Sequence, residues 1–215
     1  MPLKNLMVHL DQGPRTLARL ELAVSLAREH KARVLGVFGQ LAEAQNVGVV
    51  ASWPSQSYVE AREASRAMFE KAAAGLPDAD WHDINRGSAA EVVSHVVRIA
   101  RHADMVILGQ HDDRAKTPVP EELVTEVLME SGRPVLVVPY VGSFPEVGRH
   151  PLIAWNDARE AAHALNDALP LIEGCDEAMV LSFASRRDEG DSSCADVARH
   201  LGAHGIKSKA EVMLV

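Results

Sequence analysis

The chain has 215 residues, of which 47% are hydrophobic and 24% charged, as is typical of a globular protein with a hydrophobic core. Its 22 lysines and arginines against 30 aspartates and glutamates give a net charge of −8, which does not favour a nucleic-acid partner. Two cysteines exclude a disulfide framework, and the sequence shows neither a signal peptide nor an apolar run of roughly 18–20 residues, so we expect a cytoplasmic protein with no membrane partner.

Short apolar runs alternate with helix-period segments along the first 140 residues. Strands are predicted at 6–10, 33–38, 81–84, 105–109 and 134–139. The helices between them are marked by Leu17, Leu20, Val24 and Ala27, by the segment Tyr58–Ala74, by Val92, Val96 and Ile99, and by Leu123 and Val127. Ser88 and Glu91 have capping-box spacing at the start of the third helix, and Gly39–Ser57 is predicted to be a long loop.

Most of these strands are continuous runs of Val, Ile and Leu separated by helices. Such runs are typical of strands that are buried on both faces of a parallel sheet. Right-handed crossovers then favour a doubly wound α/β fold, in which a parallel five-stranded sheet carries helices on both faces.

The segment that follows residue 150 repeats the beginning of the chain. A shift of 145 places Asp11 on Asn156, Leu20 on Leu165 and Val24 on Leu169, and it lays residues 34–38 on 179–183. One offset that runs from a strand through a helix into the next strand indicates a duplicated unit. We therefore predict an α/β domain at 1–140, a linker at 141–150 with two glycines and a proline, and a partial second domain at 151–215.

The second copy is the shorter of the two. It reaches a helix near Ser192–His204 and a strand at Ala210–Val215, but it has nothing that matches Gly87–Pro139. We interpret it as the first half of a unit that has been shortened. The strand that contains Ile153 and Trp155 is then expected to have an open edge.

Motifs for catalysis and for metal binding are weak. His200 and His204 stand four apart on a predicted helix, and His111, Asp112 and Asp113 are adjacent, but solvated surface side chains explain both groups more simply. The sequence has no Gly-x-Ser-x-Gly elbow, no P-loop and no Gly-x-Gly-x-x-Gly motif. We predict neither an enzyme nor a metal site.

Several segments together are similar to a known family. They are Leu-Met-Val-His-Leu-Asp at 6–11, Gly-Ser-Ala-Ala-Glu at 87–91, Ala-Asp-Met-Val-Ile-Leu-Gly-Gln at 103–110, Gly-Arg-Pro-Val-Leu-Val-Val-Pro at 132–139 and Ala-Trp-Asn at 154–156. In this order and spacing they resemble the universal stress protein family, including its tandem-domain members. The resemblance implies a five-stranded parallel sheet between helices, a role in the stress response and, in many members, bound ATP.

The resemblance also implies a nucleotide site at the carboxyl ends of the strands. Asp11 matches the acidic residue that faces the nucleotide, Val37 matches a backbone position at the adenine edge, and Gly109 with Gln110 begins the phosphate loop. Judged from the residues alone, Asp11 fits equally well a side chain that caps the following turn, and Gly109 fits any tight turn.

The phosphate loop departs from the family pattern, which is Gly-x-x-Gly, nine residues and Gly-Ser/Thr. Asp112 stands at the second glycine and Glu122-Leu123 at the final pair, while Asp113 and Glu121 add negative charge. Carboxylates repel phosphate and supply acceptors where donors are needed. We therefore predict a degenerate structural or regulatory first domain without ATP. The alternative is a protein that binds ATP, and hydrolyses it slowly, through Asp11 and the backbone near Gly109.

The resemblance further implies assembly through the fifth strand, which lies at the sheet edge in family members. Here this strand is 134–139, and its Val135, Leu136, Val137 and Val138 are apolar on both faces, a poor composition for an edge in water. We expect a homodimer in which two such strands run antiparallel about a two-fold axis.

Overall fold

The structure, a computed structural model, describes residues 3–47, 50–112, 114 and 118–214. The chain divides into two compact units, one that ends at Ser143 and one that begins at Phe144. This division falls within 141–150.

The first unit is a doubly wound α/β domain. Its elements are β1 (Asn5–Leu10), α1 (Thr16–His30), β2 (Arg33–Phe38), β3 (Gln45–Val47), β4 (Val50–Ser52), α2 (Gln56–Ala72), β5 (Ala79–Asp83), α3 (Ala89–Ala100), β6 (Met105–Gly109), α4 (Leu123–Glu130) and β7 (Val135–Val138). Five strands form one parallel sheet in the order β5-β2-β1-β6-β7. The predicted fold class is confirmed.

Helices cover both faces of this sheet. On one face α3 and α4 bury Val92, Val96 and Val127 against strand residues such as Met7 and Val106. On the other face α2 packs so closely that a Cβ built on Gly36 would lie 2.6 Å from the ring of Phe69, which explains the glycine in the middle of β2. Both faces are covered, and β6 and β7 accordingly consist of apolar residues and glycine, whereas the edge strand β5 is mostly polar.

Two local predictions differ from the structure. The predicted loop Gly39–Ser57 contains the antiparallel pair β3–β4, and α2 already begins at Gln56. Leu17, which was assigned to the core face of α1, is 48% exposed, whereas Arg19 is buried on that helix. The predicted start of α3 is confirmed, since the Ser88 hydroxyl accepts a hydrogen bond from the Glu91 amide.

The second unit repeats the first half of the first. Its elements are β8 (Leu152–Trp155), α5 (Arg159–Ile172), β9 (Ala178–Ala184), α6 (Arg187–Ala203) and β10 (Ser208–Leu214). The strands form a parallel sheet in the order β10-β9-β8, which corresponds to β5-β2-β1. Within the described part of the chain β8 pairs with β9 alone, so its other side is an open edge.

The predicted offset of 145 is wrong by one residue in the second strand of the repeat. It holds through the helix, where Leu165 and Ile172 are buried like Leu20 and Ala27. Met7 then pairs with Leu35, but Leu152 pairs with Met179, so the offset from β2 to β9 is 144. The correction matters because a slip of one residue moves every side chain to the other face of a sheet. Leu181, and not Ser182, is the counterpart of Val37.

Candidate functional site

The carboxyl ends of β1, β6 and β7 enclose a small cavity in the first unit. Asp11, Gly109 and Gln110 line it together, as do Arg19 and Tyr140. Three of the four predicted site residues therefore meet at one place. Val37 does not line this cavity, because its side chain is fully buried in the core beneath α3 and α4.

Asp11 is enclosed by donors from its own chain. The residue is 4% exposed, and its carboxylate accepts hydrogen bonds from the Gly13 amide, from the Thr16 hydroxyl at 2.8 Å and from Arg19 Nη2 at 2.6 Å. Both carboxylate oxygens are thus occupied within the protein. A buried carboxylate with a guanidinium partner and further hydrogen bonds is satisfied without any ligand.

Arg19 completes this cluster and was missed by the sequence analysis. It is 4% exposed, and its Nε donates to the carbonyl of His9 at 2.8 Å. A Cβ built on Gly109 would overlap Arg19 Nη1, so glycine at this position leaves room for the guanidinium. Thr16 and Arg19 lie three apart on α1, the spacing that places two side chains on one helix face. Together with the short distance from Asp11 to the helix start, this spacing is the signal that the sequence offered.

His9 is the fourth member of the buried cluster. It is 1% exposed, and its Nε2 donates to the carbonyl of Gly39 at 2.7 Å, which leaves Nδ1 facing Asp11 Oδ2 at 3.7 Å. Burial above all, helped by the Arg19 charge and opposed by Asp11 and by the hydrogen bond to Gly39, lowers the pKa of His9 to about 4. The imidazole is therefore neutral at pH 7.

The carboxylate of Asp11 remains charged. Burial by itself raises the pKa of Asp11, but the nearby Arg19 charge, followed by the effects of His9, Thr16 and Gly13, lowers it below its usual value overall. The cluster is an internal ion pair of one anion and one cation. It presents no uncompensated charge to the cavity.

The loop after β6 carries acidic residues where the resemblance implies phosphate donors. Asp112 and Glu121 line the cavity, and Asp112 Oδ1 accepts a hydrogen bond from the Arg114 amide at 3.0 Å. Glu122 is the N-cap residue of α4, and Glu126 lies in its first turn. Asp113 lies outside the described residues. Acidic side chains already balance the positive end of the α4 dipole, the feature that would otherwise attract a phosphate.

Gln110 holds the end of β6 to the end of β7. Its backbone amide donates to the carbonyl of Val138 at 2.9 Å, and its side-chain Oε1 accepts from the backbone amide of Tyr140 at 3.4 Å. The cavity between these groups has a volume of about 60 Å³. Pockets for drug-sized ligands measure about 300–1,000 Å³, so the space admits water but not a nucleotide in this conformation.

Two groups were considered as metal sites, and one of them includes Asp113, which lies outside the described residues. His200 and His204 lie with ring centroids 4.8 Å apart in an edge-to-face arrangement. In the part of the chain that the structure describes, no three His, Cys, Asp or Glu side chains are placed to share a metal ion. Over the same residues, no helix is both long enough and apolar enough to cross a membrane.

Comparison with solved structures decides the fold. A universal stress protein from Archaeoglobus fulgidus DSM 4304 matches with a TM-score of 0.67 at 14% identity, over 98% of this chain and 77% of that one. The chain has the fold of universal stress proteins. A second one, a putative universal stress protein from Pseudomonas aeruginosa UCBPP-PA14, matches with a TM-score of 0.55 at 14% identity, over 98% of this chain and 74% of that one. No family model and no curated protein sequence matches the chain.

The universal stress protein fold extends over both units, because each of the two matches covers 98% of the chain. The predicted resemblance is therefore confirmed at the level of the fold. At 14% identity the likeness concerns the fold, and function depends on the side chains of the site.

Proposed function

We propose that the chain is a universal-stress-type protein of the stress response whose first unit is a structural or regulatory module that does not bind ATP. The observation that carries this proposal is the closed cluster of Asp11, Thr16 and Arg19 at the carboxyl end of β1. In an open α/β sheet this is the place where ligands bind. Here the hydrogen-bonding groups that could hold a ligand are bonded to one another instead.

The charge of the neighbouring loop supports the same conclusion. A triphosphate needs donors and positive charge, but Asp112 and Glu121 line the cavity, and the arginine at its base is already paired with Asp11. Binding would require a carboxylate-lined space to open and an ion pair to break. Both changes cost free energy before any contact with a ligand forms.

Isothermal titration of the full chain with ATP and Mg²⁺ tests the proposal. We expect no heat of binding up to millimolar ATP. Micromolar binding that Gln110→Glu abolishes would overturn the proposal, because an added charge at the cavity then removes the ligand. Binding that Gln110→Glu leaves unchanged would support a closed cavity in the first unit and a nucleotide site elsewhere in the chain.

The alternative function is an ATP-binding protein, and one observation favours it. Asp11, Gly109 and Gln110, which the family resemblance assigned to the nucleotide, do line the same cavity. Under this alternative, ATP displaces Arg19 from Asp11 and opens the cavity. Titration would then show micromolar binding that Gln110→Glu removes, and slow hydrolysis could be followed as phosphate release. For the first proposal, a module that does not bind ATP, we propose no enzymatic activity.

We further propose that two copies of the chain pair through β7. This strand lies at the edge of the five-stranded sheet, and its Val137 is 38% exposed. An antiparallel pairing about a two-fold axis would satisfy the free ladder groups of both copies. Val137→Asp should weaken this contact, because the pairing would bring two carboxylates into an apolar seam.

A further inference from the structure

Another cavity of the first unit lies at the amino ends of the strands, at the opposite end of the sheet from Asp11. Asn5 and Arg33, the first residues of β1 and β2, are register partners there, and both line the cavity. Its volume is about 170 Å³, compared with about 60 Å³ for the space beside Asp11. The two cavities share no lining residue, so a ligand at the amino ends is independent of the Asp11 cluster.

The inner wall of this cavity is apolar. Met7 and Ala103 line it and are buried, while Leu35 and Ile99, which pack against the same core cluster, line it and are half-buried. An apolar cavity of about 150 Å³ in another protein stays free of water and holds one benzene molecule. Drug-sized ligands need about 300 Å³ or more. The cavity at the amino ends therefore fits an apolar group of about the size of one benzene ring.

The exposed side chains of the lining are basic. Arg98 lies in the last turn of α3, His102 follows that helix, and both are exposed. Arg33 is held by Asp78 and Asp80. In the described part of the chain, by contrast, neither Arg98 nor His102 has a side-chain hydrogen bond or ion pair. Among the same residues, no Asp or Glu lines the cavity. The guanidinium and the imidazole thus offer N–H donors to an acceptor in the cavity.

We propose that this cavity binds a small monocarboxylate whose apolar group has about the size of a benzene ring. The apolar group lies against Leu35 and Ile99, where it removes apolar surface from water. The carboxylate stays at the exposed side and accepts hydrogen bonds from Arg98 and His102. A guanidinium matches a carboxylate through two parallel N–H···O bonds, so Arg98 selects an anion over a neutral molecule of the same shape.

Titration of the ¹⁵N-labelled full chain with benzoate, followed by amide chemical shifts in NMR spectra, tests the proposal. We expect saturable shifts at 33–35 and 99–103, with a dissociation constant on the order of 100 µM, as is reasonable for so small a ligand. Benzamide has the same shape without the charge and should bind at least about tenfold more weakly. The proposal is overturned if benzoate gives no saturable shifts at these residues below about 10 mM, or if benzamide binds equally well.

Two variants separate the two parts of the site. Arg98→Gln removes the charge and should weaken benzoate binding by about fivefold or more. Because Arg98 is exposed, this variant should keep the fold, which circular dichroism checks. Leu35→Phe fills the cavity and should abolish binding. If Leu35→Phe does not fold, the result for Arg98→Gln decides alone, and unchanged binding in Arg98→Gln overturns the proposal.

Arg28→Gln is the matched control for Arg98→Gln. Arg28 is also exposed in the last turn of a helix, α1, where it balances the helix dipole as Arg98 does on α3, but it does not line the cavity. The control lowers the net charge of the chain by the same amount and should leave the dissociation constant of benzoate unchanged. Equal weakening by the two substitutions would trace the effect to the charge of the whole chain and overturn the proposal.

Discussion

The carboxyl ends of β1 and β8 are equivalent positions in the two units, and they are built differently. At the end of β1, Asp11 is buried with Arg19, Thr16 and His9. At the end of β8 the counterpart of Asp11 is the exposed Asn156, whose side chain accepts a hydrogen bond from the Ala158 amide at 3.2 Å. The counterparts of His9, Thr16 and Arg19 are all alanine, and they are Ala154, Ala161 and Ala164.

The comparison indicates that the four residues of the first unit act as one group. Where the carboxylate is absent, its cation, its hydroxyl and its imidazole are absent as well. This is the pattern expected of a buried ionic network, because each charged member is costly without the others. The turn function that Asn156 keeps needs only a side-chain oxygen close to the backbone.

The largest effect is expected when the end of β1 is given a residue that stands at the end of β8. Arg19→Ala leaves the Asp11 carboxylate buried without its cation, and we expect a loss of about 3–5 kcal/mol in the free energy of unfolding. Urea denaturation of the full chain, followed by circular dichroism, measures this loss. The Asp11→Asn/Arg19→Ala pair should lose less than the sum of the two single variants, and simple additivity would contradict a shared network.

The sequence predicted the strands that position this site, but not the ion pair of Asp11 with Arg19 that fills it. The apolar runs at 6–10 and 105–109 and the resemblance together brought Asp11, Gly109 and Gln110 to one cavity. The burial of Arg19 was not predicted, because a charged residue in a helix is ordinarily expected to face solvent. Leu17 was predicted to lie on the core face of the helix instead. Apolar periodicity finds the buried stripe of a helix, but it cannot find an arginine that is buried only because a carboxylate lies above it.

The repeat shows a similar limit. The order of strand, helix and strand was visible from matching residues, but the loss of one residue before β9 was not, since apolar residues stand on both sides of the slip at 179–183. Only the pairing of Leu152 with Met179 fixes which side chains share a face. β9 carries apolar residues on both of its faces, so it lacks the polar alternation that would have set the register.

A second test measures the pH dependence of stability, to which we expect the cluster at the end of β1 to contribute and the end of β8 not to contribute. The folded pKa of His9 is lowered from 6.5 to about 4, so the unfolded chain binds a proton first as the pH falls. Stability is therefore complete above about pH 6.5 and is lost towards pH 4, by about 1.4 kcal/mol for each pH unit. Between pH 6.5 and pH 5 we expect a loss of about 2 kcal/mol in urea denaturation.

His9→Gln is the control for this pH dependence, since glutamine can still donate to the Gly39 carbonyl but does not titrate. Its loss of stability over the same interval should be smaller by about 2 kcal/mol. The lowered pKa of Asp11 acts in the same direction, but only at lower pH, because its stabilising effect is lost as the pH falls through its folded value. An unchanged slope in His9→Gln would show that His9 is not the titrating group.

A third test asks whether Gly109 belongs to the same group. A Cβ at this position would overlap Arg19 Nη1, so Gly109→Ala should cost about 1–2 kcal/mol. Once Arg19 is replaced by alanine the space is free, and the same substitution should then be nearly neutral. Thermal denaturation of the four chains of this cycle measures the coupling. Equal costs in both backgrounds would separate Gly109 from the cluster.

The smallest test concerns how helices begin in the two units. The N-cap residue of α3 is Ser88, whose Oγ accepts a hydrogen bond from the Glu91 amide at 3.4 Å, whereas the N-cap residue of α5 is Ala158, which makes no side-chain cap hydrogen bond. The backbone of Ala158, with φ of −93° and ψ of 158°, already has the extended conformation of an N-cap residue, and Glu160 lies in the first turn. Ala158→Ser should therefore stabilise the chain by about 0.5–1 kcal/mol, and Ser88→Ala should cost a similar amount. Urea denaturation of both variants measures the pair of effects. If Ala158→Ser gives no gain while Ser88→Ala destabilises, the turn formed by Asn156 already provides what a cap would supply at the start of α5.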